Sequence, residues 1–223
     1  MTLHGNPTSP VALAEPPLDA DDPRAVFAQA VALATAVIGR VVPEQLSNPT
    51  PCAEFDVRDL LGHLVVVLRR VAAIGRGDDA FGAGVLATVH GDRWQEAWVA
   101  AAHDVEVAWA DDVALTRTVR LPWAEDTGAK TLVSYLNEVT VHTWDLATAT
   151  GQRPAWDPKV LGLAFDGIRF MPGEGRWAIF EAVRAEMPPA QRNFADPFAD
   201  AVPVPEDAPL IDRLIAWNGR SPC

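Results

Sequence analysis

Four stretches of this chain repeat apolar residues at three- and four-residue steps, a pattern that buries its apolar surface by packing helix on helix. In the first, Val26, Ala30, Leu33, Val37 and Val41 mark one stripe between about Asp22 and Val42. Asp21 or Asp22 can cap this helix, and Pro23 suits its first position. The second stretch, DVRDLLGHLVVVLRRVAAIGRG, carries a broad apolar face of Leu60, Leu61, Leu64, Val67, Leu68 and Val71. Asp56 reads as its N-cap with Asp59 three residues on, and Gly75 and Gly77 close it. The third runs from Asp92 to Ala110 and stacks Trp94, Trp98, Ala101, Val105 and Trp109 on one stripe. The fourth spans about Ala129 to Thr150 and is ended by Gly151. The expected fold is mainly α, an antiparallel four-helix bundle with a short, partly irregular C-terminal extension.

This pattern divides the chain into a tail over residues 1–20, a bundle over 21–151 and an extension over 152–223 packed on it. The segment LTRTVRLPW alternates too briefly to define a strand and reads as a hairpin arm or an extended connection. Within the extension, helices are expected near Pro158–Phe170 and Pro209–Trp217. Between them, AEMPPAQRNFADPFADAVPVPEDAP is proline-rich and reads as an irregular wrap.

The formal net charge of −12 disfavours nucleic acid and anionic membrane surfaces as partners. No apolar run reaches the roughly 18 residues that a membrane-spanning helix needs, and the first twenty residues lack the basic start and apolar core of a signal peptide. With only Cys52 and Cys223, no disulfide framework can form, and a cytoplasmic location is expected. No CxxC pair offers a thiolate zinc site.

The chemistry is concentrated in SYLNEVTVHTWDLATATG, where Glu138 and His142 stand four residues apart and so share a helix face. That face is partly core, and a buried carboxylate there would cost several kcal/mol unless a proton or a cation neutralised it. A carboxylate and an imidazole suit zinc, nickel, iron or manganese. Of the remaining histidines, His4 falls in the tail, His90 in a loop and His103 on the solvent side of its helix. His63, in LLGHLVVV, is embedded in an apolar face and completes the trio. Nearby, Asp145 can support a ligand histidine, Tyr135 can border the site as proton donor or wall, and Trp144 and Cys52 read as packing residues.

TPCAEFDVRDLLGHLV, NEVTVHTWDLATATG and the ending DAPLIDRLIAWNGRSP together resemble the DinB/YfiT-like metal-binding bundle proteins. They are most similar to the branch of the mycothiol-dependent maleylpyruvate isomerase and its actinobacterial relatives, over roughly residues 22–223. The resemblance implies a divalent metal held by His63, Glu138 and His142, with one coordination position open to water or a thiol. It implies mycothiol as cosubstrate, and isomerisation of, or S-transfer to, a small electrophile, by a monomer or homodimer. The isomerase has a larger C-terminal domain whose arginine contributes to activity. Only Arg220 of the GRSP ending has motif support here, so the resemblance does not extend to maleylpyruvate as substrate. The competing readings are a metal-dependent hydrolase and a non-catalytic metal-binding or stress-response protein.

Overall fold

The computed structural model describes residues 22–80, 82, 84–122, 124–186 and 199–222. They form a mainly helical structure: α1 (Pro23–Ile38), α2 (Val57–Arg76), α3 (Trp94–Ala108), the short α4 (Asp112–Thr116), strands β1 (Thr118–Leu121) and β2 (Ala124–Thr127), then α5 (Gly128–Ala149), α6 (Pro158–Ile168), α7 (Arg176–Glu186) and α8 (Leu210–Trp217). The tail and His4 lie outside the described residues. None of the described helices is long and apolar enough to cross a membrane.

The helix starts follow local capping chemistry. The Asp22 carboxylate accepts from the Arg24 N–H, and Asp56 accepts from the Asp59 N–H at 2.9 Å. Helix α1 ends at Ile38, earlier than its apolar pattern predicts. The Gly39 N–H still makes a helical bond to the Thr35 carbonyl, but the Arg40 and Val41 N–H groups bond only three residues back, to the Val37 and Ile38 carbonyls, and the chain leaves the α-helical path. Val41 and Val42 therefore lie beyond the helix, and Leu33 is only half-buried. Helix α2 runs through Gly75 and stops at Gly77, whose left-handed backbone (φ 83°) suits a residue without a Cβ.

The LTRTVRLPW segment supplies β1 and part of a short hairpin, with Thr118 opposite Thr127 and Leu121 opposite Ala124. Helix α4 precedes it, capped by Asp111, and was not legible in the sequence because it has a single turn and no apolar period. Helix α7 lies in a stretch for which the sequence pattern predicts no element, and it takes in Ala185 and Glu186 from the start of the expected irregular wrap.

Helices α2 and α5 are the most deeply buried and pack on each other, α3 lies on α2, and α1 lies on α5. The tryptophan stripe of α3 faces inwards. Trp98 Nε1 donates to Thr35 Oγ1 and Trp109 Nε1 to the Val71 carbonyl, both at 2.8 Å, which satisfies two buried donors. Helix α6 packs on α5 and α1, and its Val160, Leu161, Ala164 and Ile168 join the same core as Phe180 of α7 and Leu214 of α8.

The first turn of α5 lies against the α4 backbone. A Cβ added to Gly128 would sit 1.9 Å from the Ala114 carbonyl oxygen, and the Gly128 N–H donates to Arg117 O at 2.8 Å. Gly128→Ala must therefore push α4 away from α5, and we expect it to cost about 1–3 kcal/mol, the usual range for overpacking. Denaturant unfolding checks this, and a variant as stable as the parent would show that the junction yields without cost.

Candidate metal centre

The contact between α2 and α5 decides the site. His63 stands on the α2 face that meets α5, and Glu138 and His142 stand one turn apart on the α5 face that meets α2. One ligand atom from each of the three lies within 4.8 Å of the others, the spacing a single ion would span. His63 and His142 are buried, and the Glu138 side chain is 19% exposed. The two imidazole rings meet edge to face with centroids 4.9 Å apart, and Phe55 covers His63 at 5.1 Å.

Each histidine is held by its Nδ1. His63 Nδ1 donates to the Val85 carbonyl oxygen at 3.2 Å, and His142 Nδ1 donates to Asp145 Oδ2 at 3.0 Å. A carbonyl and a carboxylate accept only, so each Nδ1 carries a proton, and a neutral ring at either position keeps its lone pair on Nε2. His63 Nε2 nonetheless lies 3.3 Å from Glu138 Oε1, a second acceptor. A neutral imidazole has one N–H and cannot serve Val85 and Glu138 together. The arrangement therefore calls for a positive charge at His63 and Glu138, which either a second proton on the His63 ring or a cation on Nε2 supplies; a divalent ion can serve His142 as well.

Burial pushes the Glu138 carboxyl up, but a protonated His63 donating Nε2–H to it, with the positive charges of His63, His142 and Arg70, outweighs burial and holds the group below its ordinary value; a cation bound there would act in the same direction. Burial also lowers His142, against the pull of the Asp145 hydrogen bond, so its neutral, ligating form is favoured. Tyr135 lies buried one turn before Glu138, and burial, with the Glu138 charge adding to it, raises its phenol so that it stays protonated.

Asp145 and Arg220 are placed behind the site rather than in it. Asp145 is fully buried, and it accepts Arg220 Nε at 3.3 Å on Oδ1 and Arg220 Nη2 at 3.1 Å on Oδ2, beside the His142 bond. Arg220 is itself buried and also donates to the Asn218 carbonyl at 2.8 Å. A chain of contacts thus runs from the C-terminal ending through Asp145 to His142, the usual way a ligand histidine is oriented.

Two residues that sequence reasoning passed over complete this docking. The side-chain amides of Asn137 and Asn218 exchange hydrogen bonds at 3.0 Å in both directions while fully buried. Asn137 precedes Glu138, so the pair anchors the ending one residue from a candidate ligand. The WNGRSP sequence marked the ending, but nothing in it identified the partner on α5.

Cys52 forms a second cluster with His142 and Asp145. Burial pushes its thiol up to about 11, Arg220 pulling it down and Asp145 and Glu54 pushing it further up, so it stays protonated and weakly nucleophilic. Both Asp145 oxygens and His142 Nδ1 are already committed to one another and to Arg220, which leaves the His63–Glu138–His142 cluster as the better cation site. His103 is exposed beside Glu106, and His90 lies in a 3-10 turn before α3; neither approaches the cluster.

A family model described as the mycothiol maleylpyruvate isomerase N-terminal domain matches residues 27–147, more than half of the chain. The chain is also similar to two proteins from Mycobacterium tuberculosis strains, the Uncharacterized protein Rv0738 and the Uncharacterized protein MT0763. Each is 29% identical over 205 residues, covering 90% of this chain and 98% of the relative. No solved structure gives a significant match.

Proposed function

This chain belongs to the family of the mycothiol maleylpyruvate isomerase N-terminal domain, and on that premise we propose that it is a divalent-metal protein linking a low-molecular-weight thiol to a small electrophile. His63, Glu138 and His142 are the metal ligands, and zinc is the leading ion because two histidines and one glutamate form a donor set used by catalytic zinc. The observation that carries this reading is the convergence of His63, Glu138 and His142, one ligand atom of each lying within 4.8 Å of the others. The bundle of α1, α2, α3 and α5 over residues 21–151 is the metal-binding unit, and residues 152–223 brace it through Asn218 and Arg220. A cytoplasmic setting, where thiols remain reduced, suits this chemistry.

When bound, the ion supplies Lewis acidity that favours a thiolate over a thiol. The chain's own residues do the rest. Val85 and Asp145 fix the proton on Nδ1 of each histidine and so aim both Nε2 lone pairs at one point. Glu138 supplies the negative charge that balances the cation. Tyr135, protonated and one turn away, can lend a proton or form a wall. Hydrolysis is the weaker reading, because the adjacent carboxylate, Asp145, is occupied by His142 and Arg220 and is not available as a base.

The test is turnover by the purified, metal-loaded chain with mycothiol and a panel of electrophiles, including cis-configured unsaturated acids. We expect thiol consumption or cis–trans isomerisation that disappears on chelation and returns with metal. Metal-dependent ester cleavage without thiol would favour the hydrolase reading. Tight metal binding with neither turnover nor stabilisation by thiol would favour a non-catalytic role.

A further inference from the structure

The connection between α2 and α3 meets α2 at three points around His63. Arg70 Nη2 donates to the Gly84 carbonyl, His63 Nδ1 to the Val85 carbonyl at 3.2 Å, and the Ala87 N–H to the Gly62 carbonyl at 3.1 Å. Val85, Ala87 and Val89 are half-buried, while Gly84 before them and Leu86 and Thr88 between them are exposed. The segment therefore runs along the helix with alternate residues turned inwards.

Gly62 makes the approach feasible. A Cβ at that position would lie 2.8 Å from the Ala87 carbonyl oxygen and 3.4 Å from its nitrogen, and a backbone cannot move aside as a flexible side chain can. A glycine inside a helix costs about 1 kcal/mol relative to alanine. Here the missing side chain admits a second chain segment beside a ligand histidine.

We infer that residues 84–87 are a strap that orients His63 and thereby sets how tightly the chain holds its metal, with Gly62, Val85 and Arg70 as positioning residues. This rests on the metal reading above. The Val85 carbonyl keeps the proton on Nδ1, leaves Nε2 to ligate, and makes it the more basic donor. A cation on Nε2 in turn polarises Nδ1–H and strengthens its bond to Val85. Strap docking and metal binding are then coupled in both directions. Arg70 offers a second handle on the strap, and its charge also acts on Glu138. Removing a positive charge near a bound cation should by itself tighten binding. A loss of affinity on removing Arg70 would therefore report the strap and not the charge.

The full-length chain is titrated with Zn²⁺ against a competing chelator, and hydrogen exchange of the Ala87 amide is followed with and without Zn²⁺, for the wild type, Gly62→Ala and Arg70→Met. Both variants should bind Zn²⁺ at least tenfold more weakly, within the roughly 10–100-fold range known for outer partners of metal ligands. Zn²⁺ should slow Ala87 exchange in the wild type and not in Gly62→Ala. Affinities within twofold of the wild type in both variants, despite faster Ala87 exchange, would overturn the inference. So would wild-type Ala87 exchange that ignores Zn²⁺. Should Gly62→Ala not fold, Arg70→Met and the wild-type exchange decide. A wild-type chain that takes up no Zn²⁺ fails the metal reading itself, whereas Zn²⁺ bound with an indifferent strap fails only this inference.

Discussion

His142→Ala is expected to abolish metal-dependent stabilisation. Protein saturated with ion at a hundred times the dissociation constant gains about 2.7 kcal/mol over the metal-free form. At roughly 2–4 °C per kcal/mol for a domain of this size, that is about 5–10 °C in thermal midpoint. The variant loses one of three ligands and leaves a gap where the buried imidazole stood. Affinity should fall by more than the roughly 100-fold upper range for outer partners, and the midpoint should no longer respond to metal. Glu138→Gln is the companion, since it keeps the shape and removes the charge that balances the cation. Thermal shifts with and without zinc check both, and an undiminished shift in either variant would remove that residue from the ligand set.

Asp145→Asn should be the most destabilising substitution in the neighbourhood. Asp145 is fully buried and its carboxylate is the partner of the buried Arg220 guanidinium. Removing one member of a buried pair strands the other charge and costs about 3–5 kcal/mol. The same change loosens His142, so metal affinity should fall roughly 10–100-fold.

The pH response has a defined sign. Burial raises Asp145, but the His142 hydrogen bond and the Arg220 charge outweigh it and hold the carboxyl below its ordinary value. Its stabilising contribution is therefore complete above the unfolded carboxylate pKa, near 4, and is lost as pH falls through the lower folded value. Burial lowers His142 as well, so the metal-free wild type should already begin to lose stability as pH falls below about 6.5. The Asn variant should lack the Asp145 part of the loss at low pH. Denaturant unfolding from pH 7 to pH 3 tests this, and parallel curves for the two proteins would contradict it.

The sequence made the long helices legible because their stripes are long and regular, and Asp22 and Asp56 marked two of the starts. The trio was legible for a related reason. Glu138 and His142 share one turn, and His63 interrupts an otherwise apolar face. What the sequence did not reveal depends on long-range contact without a period. Val85 supports His63 through a backbone carbonyl, which carries no residue-type signature. The Asn137–Asn218 pair joins residues far apart in sequence, and asparagines are equally at home in turns. Gly62 was visible as a glycine, but its reason, the close pass of Ala87, lay elsewhere in the chain. The GRSP ending drew notice to Arg220, but its burial against Asp145 depends on a partner 75 residues away that no local motif marks. Helix α7 contributes Phe180 to the core but lacks a long stripe to announce itself.

The most direct test of the central claim is anomalous diffraction from crystals of the zinc-loaded chain at the zinc absorption edge. The geometry predicts one peak per chain, about 2.0–2.2 Å from an imidazole nitrogen of His63, an imidazole nitrogen of His142 and a carboxylate oxygen of Glu138. A peak among Cys52, His142 and Asp145, or no ordered zinc between α2 and α5, would contradict it.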